Sequence, residues 1–290
     1  MKREPQLSIL IPTFNYGRFL GEAVESVLSQ GFGDYELTVI DNASTDETRD
    51  VMEHYKDPRL EFIVNPRNMG PYYSFDLFLK KARGRYLRSL CADDALIPDV
   101  LEEQVKALNR YRTLGLVTCD MIETDERLEN CHLVMSYPGF ENGQTVTDYT
   151  LHIAMNAIGG PSSFMYPREL VQGMKVDQTF NYVGDLKFGM DLLKSRDYLN
   201  IDHPGCYYRR HGATWTVVET DLASRSEEWL RLIKAHGQLC HLNCLRLLRM
   251  TLGARQKLEL LKWLATHFFD RKSIGNSFKA RKKSWINANR

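Results

Sequence analysis

The sequence has few cysteines, no long apolar run and no glycine-rich phosphate loop, and each absence argues against a class of protein. Six cysteines scattered over 290 residues do not make a disulfide framework, so we expect reduced thiols. No stretch approaches the roughly 18 uninterrupted apolar residues of a membrane-spanning helix. Residues 1–5 lead into a short apolar segment without a signal-type cleavage region. We therefore expect a cytoplasmic protein, at most peripheral on the inner face of the plasma membrane.

Two common ligand sites are also missing. Neither the G-x-G-x-x-G fingerprint of dinucleotide-binding proteins nor the G-x-x-x-x-G-K-[ST] loop of nucleoside triphosphatases occurs, which argues against both classes. His236, Cys240 and Cys244 share one face of a predicted helix. However, residues at i and i+8 lie about 12 Å apart along a helix. Because that separation is too large for one zinc ion, a buried helix face is the preferred interpretation.

The net charge of +1 hides an uneven distribution of charge along the chain. Residues 240–290 carry 12 basic and 2 acidic side chains, a net charge of +10, so the first 239 residues carry −9. The composition, 43% hydrophobic and 26% charged, is otherwise that of a globular protein. A basic segment attached to an acidic body predicts an anionic partner.

The first half of the chain alternates short apolar runs with segments in which apolar residues recur at helical spacing. This alternation predicts an α/β fold with a mainly parallel sheet and flanking helices. The predicted strands are residues 7–13, 35–41, 60–64, 85–90 and 116–121. The predicted helices are residues 17–30, 72–83 and 98–112. Ser44 or Thr45 is expected to cap a further helix that opens with Asp46 and Glu47.

The second half is less regular. It contains a polar stretch over residues 123–144, helices near 147–157 and 184–196, a short helix from Pro167, and short strands over 198–201 and 206–210. From residue 221 to about residue 269, apolar residues again recur at helical spacing. This pattern predicts two or three appended helices, which together form a C-terminal helical appendage.

Ligands of such sheets bind beyond the carboxyl ends of the strands, where the connecting loops converge. The loops after the first, second and fourth predicted strands carry residues 13–15, 41–44 and 92–94. The adjacent carboxylates of Asp93 and Asp94 repel each other unless a cation lies between them, and oxygen ligands select Mg²⁺ or Mn²⁺. From these residues alone, a metal site and acids at the start of the next helix are equally good interpretations.

The order of these loops resembles family 2 of the glycosyltransferases, which have the GT-A fold and use nucleotide-activated sugars. The resemblance covers roughly residues 6–215. It rests on residues 8–15 (SILIPTFN), 39–46 (VIDNASTD), 68–70 (NMG) and 84–87 (GRYL), the last leading to Asp93 and Asp94. It implies a GT-A domain over residues 1–218, with a nucleotide-sugar half to about residue 121 and an acceptor half over 122–218. A basic helical C-terminal region follows over 219–290.

The resemblance also implies a donor site and a metal site. Asp41 would accept hydrogen bonds from the base, and Asp93 would face the ribose or the sugar. Asp94, with His211 of the segment YRRHG, would bind Mn²⁺ or Mg²⁺, whose charge offsets that of the leaving diphosphate. For His211, the alternative to metal binding is a purely structural role. For Phe14, the alternative to contact with the donor is packing against the sheet. The implied donor-binding residues are Pro12, Thr13, Phe14, Asn15, Asp41, Asn42, Ser44, Asn68, Gly70, Asp93 and Arg209.

Inversion at the anomeric carbon needs a base that takes the proton of the acceptor hydroxyl. By resemblance this base is Asp185, although an acid that only stabilises a helix N-terminus is the alternative. Gly160 and Ser162 match the acceptor-side loop, with a plain turn as the alternative for the glycine. Two residues depart from the family pattern: Cys91 stands where many relatives have aspartate, and Gly184 stands where glutamate often precedes the base. We interpret Cys91 as a small buried residue rather than a ligand or nucleophile.

The resemblance therefore predicts an inverting, metal-dependent glycosyltransferase that moves a sugar from a nucleoside diphosphate sugar to a hydroxyl group. Processive members carry a Q-x-x-R-W element and membrane helices, and the sequence shows neither. The expected acceptor is a glycan or a lipid-linked glycan, plausibly in bacterial surface polysaccharide synthesis. The alternatives are a catalytically silent nucleotide-sugar or glycan-binding module and a sugar nucleotidyltransferase. The latter would need a glycine-rich loop after the first strand.

The basic C-terminal region has two interpretations. It is either a solvated helix face with a tail or an interfacial anchor to an anionic membrane surface, which would hold the site near a lipid-linked acceptor. Nucleic acid is not expected as a partner, because only the charge would favour it.

Overall fold

The computed structural model describes residues 4–129, 131–174, 176–212, 214 and 222–236 of the chain. The chain divides into two compact units, residues 1–151 with 155–221 and residues 152–154 with 222–290. The helices predicted beyond residue 236, together with Cys240 and Cys244, lie outside the described residues. Among the helices that are described, none combines the length and apolar character that a membrane crossing requires.

Short strands and helices alternate along the first unit. The helix that starts at Leu222 belongs to the second unit. The strands are β1 (Leu7–Thr13), β2 (Tyr35–Asp41), β3 (Leu60–Val64), β4 (Tyr86–Ser89), β5 (Ala95–Leu96), β6 (Leu114–Thr124), β7 (His132–Val134), β8 (Gly139–Asn142), β9 (Met165–Pro167) and β10 (Asp197–Arg209). The helices are α1 (Gly17–Leu28), α2 (Thr48–Glu53), α3 (Pro71–Lys81), α4 (Val100–Arg110), α5 (Gly143–Ile153), α6 (Gly184–Leu192) and α7 (Leu222–Ala235), with 3₁₀ turns at Pro161–Ser163 and Arg168–Val171.

The described strands form a ten-stranded mixed sheet in the order β3-β2-β1-β4-β9-β6-β10-β5, with β7 beside β6 and β8 beside β10. The longer strands pair in parallel, namely β1 with β2 and β4, β2 with β3, and β6 with β10. The short strands β5, β7, β8 and β9 pair antiparallel. The prediction of a mainly parallel sheet with flanking helices is confirmed.

The core of the first unit forms where the apolar face of α1 meets the central strands. In β1, apolar residues on both faces are buried, as expected for a strand covered on both sides. In α1, Leu20, Val24 and Val27 recur at helical spacing and belong to the same buried cluster as Ile9 and Ile11 of β1. This packing fixes the end of β1 at the edge of the sheet where the predicted site lies.

Several predicted boundaries are wrong, and local hydrogen bonds explain one of them. The helix expected to start after Ser44 or Thr45 begins only at Thr48. The hydroxyl group of Ser44 instead donates to Asp41, and the N–H of Thr45 donates to Asn15. Polar side chains that bond to neighbouring loops in this way compete with helix formation.

Other differences concern the second half of the sheet. The two strands predicted over residues 198–201 and 206–210 are one strand, β10, whose register shifts around Pro204. The polar stretch over residues 123–144 contains β7 and β8, and β5 lies in a segment where no strand was expected. These strands have only two to four residues, too few for a periodic pattern to show.

Candidate active site

The loops that follow β1, β2 and β4 meet at one edge of the sheet, because these strands are parallel neighbours. A cavity of about 660 Å³ opens at this edge. It is lined by Pro12 at the end of β1, Gly70 before α3, Asp185 in α6 and residues 91–94, which we call the acid loop. The fold thus brings together four segments that lie far apart in the sequence.

The loops after β1 and β2 are bonded to each other. The N–H of Asn15 donates to Ser44 Oγ (2.8 Å), and the N–H of Thr45 donates to Asn15 Oδ1 (2.9 Å). Asn15 and Ala43 have positive φ angles of 56° and 63°, which cost energy for residues other than glycine and cluster at functional sites. The predicted donor-binding residues Asn15 and Ser44 therefore lie in one ordered unit, beside the half-exposed ring of Phe14.

Asp41 ends β2 and is completely buried. Its Oδ1 atom accepts hydrogen bonds from the N–H (2.9 Å) and the hydroxyl group (2.5 Å) of Ser44. Within the described part of the chain, its Oδ2 atom has no hydrogen-bond partner, and neither has Oγ1 of Thr13, which lies opposite on β1. Since buried polar atoms normally have a partner, both atoms are candidates for a ligand contact.

Asn42 links the loop after β2 to the turn before α3. Its Nδ2 atom donates to the Gly70 carbonyl group (3.1 Å), and its Oδ1 atom accepts from Asn65 (2.7 Å). The Oδ1 atom of Asn68 accepts from the N–H of Gly70 (2.9 Å), where φ is 80° and glycine has no steric cost. Asn42 and Asn68 thereby shape the part of the wall that Met69 and Gly70 present to the cavity.

Asp94, in the acid loop, is 3% exposed, and both of its carboxylate oxygens accept hydrogen bonds. Oδ2 accepts from the Ser162 hydroxyl group (2.5 Å), and Oδ1 accepts from the N–H of Arg209 (3.0 Å). Burial and the neighbouring Asp93 carboxylate raise the pKa of Asp94 to about 8, against the opposing effect of these hydrogen bonds. Two buried adjacent acids of this kind fit a bound divalent cation, which would stabilise their charged forms.

Cys91 is the third polar group of the acid loop. Its Sγ atom and one oxygen each of Asp93 and Asp94 lie within 4.8 Å of one another. Burial and the carboxylates of Asp94 and Asp93 raise the pKa of the Cys91 thiol well above its usual range. Without a cation beside it, the thiol stays protonated and is a poor nucleophile. We expected a small buried residue at this position, and Cys91 is half-buried and lines the cavity.

His211 lies directly against Asp93, with 3.0 Å between Nε2 and Oδ2. The His211 side chain is completely buried, and its ring packs 4.8 Å from that of Phe19. A guanidinium nitrogen of Arg18 lies 3.5 Å from the other ring nitrogen, Nδ1. The two predicted metal ligands, Asp94 and His211, thus both lie next to Asp93. His211 contacts Asp93 rather than Asp94.

The side chain of Arg209 forms an ion pair with Glu22 (2.5 Å) and lies 4.6 Å over the ring of Phe19. Arg209 is 1% exposed, and its backbone N–H is the group that reaches Asp94. Arg18, by contrast, is about half exposed beside His211. The sequence does not single out Arg18, because an arginine in the first turn of a helix has the pattern of an ordinary solvated residue.

Asp185 lies in the first turn of α6 and lines the cavity. The residue before it, Gly184, packs against Tyr72 of α3, since a Cβ atom at position 184 would lie 2.8 Å from the Tyr72 hydroxyl oxygen. That hydroxyl group donates to the carbonyl group of Phe180. Gly184, where this chain departs from the family pattern, therefore leaves room for Tyr72, which sequence reasoning missed.

Ser162 lies in the 3₁₀ turn before β9, and Gly160 directly precedes this turn. The residue between them, Pro161, lines the cavity. Ser162 is 1% exposed. Its hydroxyl oxygen accepts from the N–H of Cys91 (3.0 Å), while the hydroxyl group donates to Asp94. The predicted acceptor residue Ser162 is therefore bonded to the acid loop.

The cavity wall carries acidic side chains. Asp93, Asp94 and Asp185 contribute three carboxylates, and the lining residues that the structure describes include no lysine or arginine. A diphosphate has the same sign of charge, so a compensating cation would favour its binding here. The rest of the wall includes seven aromatic rings, those of Tyr16, Tyr72, Phe75, Phe164, Tyr182, Phe188 and Tyr208.

The family model described as glycosyl transferase family 2 matches residues 8–164, more than half of the chain. An uncharacterized glycosyltransferase of Haemophilus influenzae is 34% identical over 103 residues, which are 35% of this chain and 41% of that one. The GalNAc(5)-diNAcBac-PP-undecaprenol beta-1,3-glucosyltransferase of Campylobacter jejuni is 24% identical over 197 residues, 67% of this chain and 62% of that one. The relatives of higher identity are matched over less than half of their own length.

Solved structures share the fold. Residues 1–349 of TarS from S. aureus, in complex with UDP-GlcNAc, superpose with a TM-score of 0.65 and 20% identity, covering 98% of this chain and 79% of that one. The mannosyltransferase PcManGT from Pyrobaculum calidifontis, in complex with GDP-Man and Mn²⁺, gives a TM-score of 0.58 at 17% identity, covering 98% and 81%. At this identity the comparison establishes the GT-A fold alone.

Proposed function

The chain belongs to glycosyl transferase family 2, and on that premise we propose that it transfers a sugar from a nucleoside diphosphate sugar to a hydroxyl group of a glycan or lipid-linked acceptor. We propose that the transfer is inverting, non-processive and dependent on Mn²⁺ or Mg²⁺. The observation that carries the proposal is the cavity that the acid loop and Asp185 line together. Two proteins of similar fold hold UDP-GlcNAc and GDP-Man, which supports this class of donor.

The loops after β1 and β2 are proposed to bind the nucleotide. Oδ2 of Asp41 and Oγ1 of Thr13, which have no hydrogen-bond partner among the described residues, are suited to the polar edge of a base. Because Asp41 is completely buried and bonded to Ser44, contact with a base requires the residues that cover it to move aside. Pro12, Phe14 and the N-terminal part of α3 would then border the ribose and the diphosphate.

The chemistry of the acid loop fits a divalent cation. Asp93, Asp94 and His211 would hold it, since carboxylate oxygens suit Mn²⁺ and Mg²⁺. When bound, the ion supplies positive charge that stabilises the departing diphosphate. The side chain of Arg209 is buried and paired with Glu22, whereas Arg18, paired with Glu126, is about half exposed. Because it is the more accessible of the two guanidinium groups, Arg18 is the proposed cation for the outer phosphate.

Asp185 is proposed to act as the base. Its carboxylate faces the cavity from the start of α6, where it could take the proton of an acceptor hydroxyl group. The aromatic wall beside it, with Phe75 and Phe188 packed edge to face at 5.3 Å, offers apolar surface to a sugar ring. The acceptor hydroxyl would lie between this wall and the acid loop.

A thermal-shift screen of UDP, GDP, CDP and dTDP sugars, with and without Mn²⁺, tests the proposal. We expect one nucleotide class to raise the Tm only when Mn²⁺ is present, since a ligand of the native state stabilises it by about 2.7 kcal/mol at 100-fold its Kd. The same sugar nucleotide should be hydrolysed slowly by the protein with Mn²⁺. No shift and no hydrolysis with any donor would instead favour a silent binding module.

A further inference from the structure

Arg88, in the middle of β4, is a buried charge for which the proposed reaction has no use. It is completely buried, and among the described residues no carboxylate lies within ion-pair distance of it. Taking an unpaired charge out of water is costly, so hydrogen bonds must compensate it. Its guanidinium group donates to Gln104 Oε1 in α4 and to the carbonyl group of Ser162 (2.5 Å).

Arg88 and Gln104 together hold one turn. Gln104 is also completely buried, and its Nε2 atom donates to the carbonyl group of Ser163 (2.8 Å). The two side chains that bond to each other thus bind two successive carbonyl groups of the 3₁₀ turn Pro161–Ser163. This arrangement fixes the turn against β4 and α4.

The same turn is bonded to the acid loop through one hydroxyl group. Ser162 Oγ accepts from the N–H of Cys91 (3.0 Å) and donates to Asp94 Oδ2 (2.5 Å). The neighbouring Ser163 is equally buried, but its hydroxyl group donates to the carbonyl group of Gly160 (2.8 Å) within the turn. Ser162, unlike Ser163, therefore links the fixed turn to a proposed metal ligand.

We propose that Ser162, held in place by Arg88 and Gln104, is a positioning residue that orients the Asp94 carboxylate for the divalent cation. This role replaces the acceptor contact that the sequence suggested for Ser162. It rests on the proposed metal-dependent function. Groups that bond to the ligands of a metal commonly change its affinity by roughly 10- to 100-fold when removed. The buried guanidinium group then serves to fix the carbonyl group of Ser162, and through it the acid loop.

Ser162→Ala and Ser163→Ala in the full chain form a matched pair, because each removes one buried hydroxyl group from the same turn. Binding of Mn²⁺ is measured by electron paramagnetic resonance, alone and with UDP or GDP, and the Tm of each variant is recorded. We expect Ser162→Ala to weaken Mn²⁺ binding roughly tenfold or more, while Ser163→Ala retains the affinity of the unmodified protein. Arg88→Lys keeps the charge but replaces the two guanidinium nitrogens that reach Gln104 and Ser162 by one ammonium nitrogen on a flexible chain, so it should also weaken Mn²⁺ binding.

The outcomes separate this proposal from the proposed function. If the unmodified protein binds Mn²⁺ and Ser162→Ala binds it equally well, the positioning role is overturned and the metal-dependent function stands. Equal weakening in both serine variants would show a general effect on the turn and would also overturn the positioning role. If the unmodified protein binds no Mn²⁺ with either nucleotide, the proposed metal dependence fails first, and the positioning role falls with it.

Discussion

Among single residues, two acids of α6 have different surroundings. Asp185 lines the cavity, whereas Asp191 forms ion pairs with Lys187 (2.5 Å) on the same helix and with Lys194 (2.7 Å) just beyond its end. We expect Asp185→Asn to lower the rate of sugar transfer by roughly 10²–10⁴-fold, because the amide cannot take the acceptor proton. Nucleotide binding with Mn²⁺ should persist, since the side chain keeps its shape. Initial rates and the nucleotide-induced Tm shift measure the two effects.

Asp191→Asn is the matched control for this prediction. It removes a carboxylate of the same helix that does not line the cavity, so transfer should continue at close to the unmodified rate. A transfer rate that survives Asp185→Asn would remove Asp185 from the proposed reaction. Equal losses in both variants would point instead to a general requirement for the charge of α6.

Several residues of the sequence motifs bond to neighbouring residues of the site. Asn42 binds the Gly70 carbonyl group, and Ser44 binds Asp41, so the motif NASTD is largely a set of loop-to-loop contacts. Arg209 presents its backbone N–H to Asp94 and its side chain to Glu22. A motif identifies these positions, but it does not tell whether each side chain contacts the ligand or the residue beside it.

At the scale of elements, β4 must approach β1 closely for the acid loop to reach the cavity. Gly84, just before β4, permits this approach: its N–H donates to Ser8 Oγ (2.8 Å), and a Cβ atom there would lie 2.5 Å from the Leu7 carbonyl carbon. We expect Gly84→Ala to lower the free energy of unfolding by about 1–3 kcal/mol, because backbone atoms have to shift to admit the methyl group. Urea denaturation measures the loss.

Gly33→Ala is the control at this scale. A Cβ atom at position 33 would have no atom within 4 Å, so the substitution should change the free energy of unfolding little. If Gly84→Ala and Gly33→Ala unfold at the same urea concentration, the close approach of β4 to β1 is contradicted.

At the scale of the whole molecule, the opposite charges of the two parts of the chain suggest a division of roles. The acidic part contains the cavity, and residues 240–290, with a net charge of +10, lie outside the described residues. We propose that this basic region anchors the protein to anionic lipid near a lipid-linked acceptor. Truncation after Thr220 should then abolish co-sedimentation with vesicles that contain phosphatidylserine.

Salt and lipid composition provide the controls for this prediction. Binding of the full chain should weaken as ionic strength rises, because exposed charges are screened over about 8 Å at 0.15 M salt. Vesicles of phosphatidylcholine alone should not retain the protein. If the full chain ignores phosphatidylserine vesicles at low salt, the basic region is not a membrane anchor.

The central strands and helices could be predicted from the sequence because their hydrophobic periodicity is long enough to be distinctive. The bounds of β1 and β2 agree with those expected, and α1 ends two residues earlier than the apolar pattern suggests. The short strands β5, β7, β8 and β9 were not recognised. Their existence depends on the partners beside them in the sheet, and such partners leave no mark in a local pattern.

By itself, the sequence determined the α/β architecture and the order of the strand-end loops, since these follow from local periodicity. Its resemblance to a known family indicated the candidate site residues. Only the tertiary structure decided which side chains meet. It joined His211 to Asp93, Ser162 to Asp94 and Arg209 to Glu22. Each pair is separated by 68 or more positions in the sequence. Because the packing of the sheet and its helices selects such contacts, no local pattern encodes them.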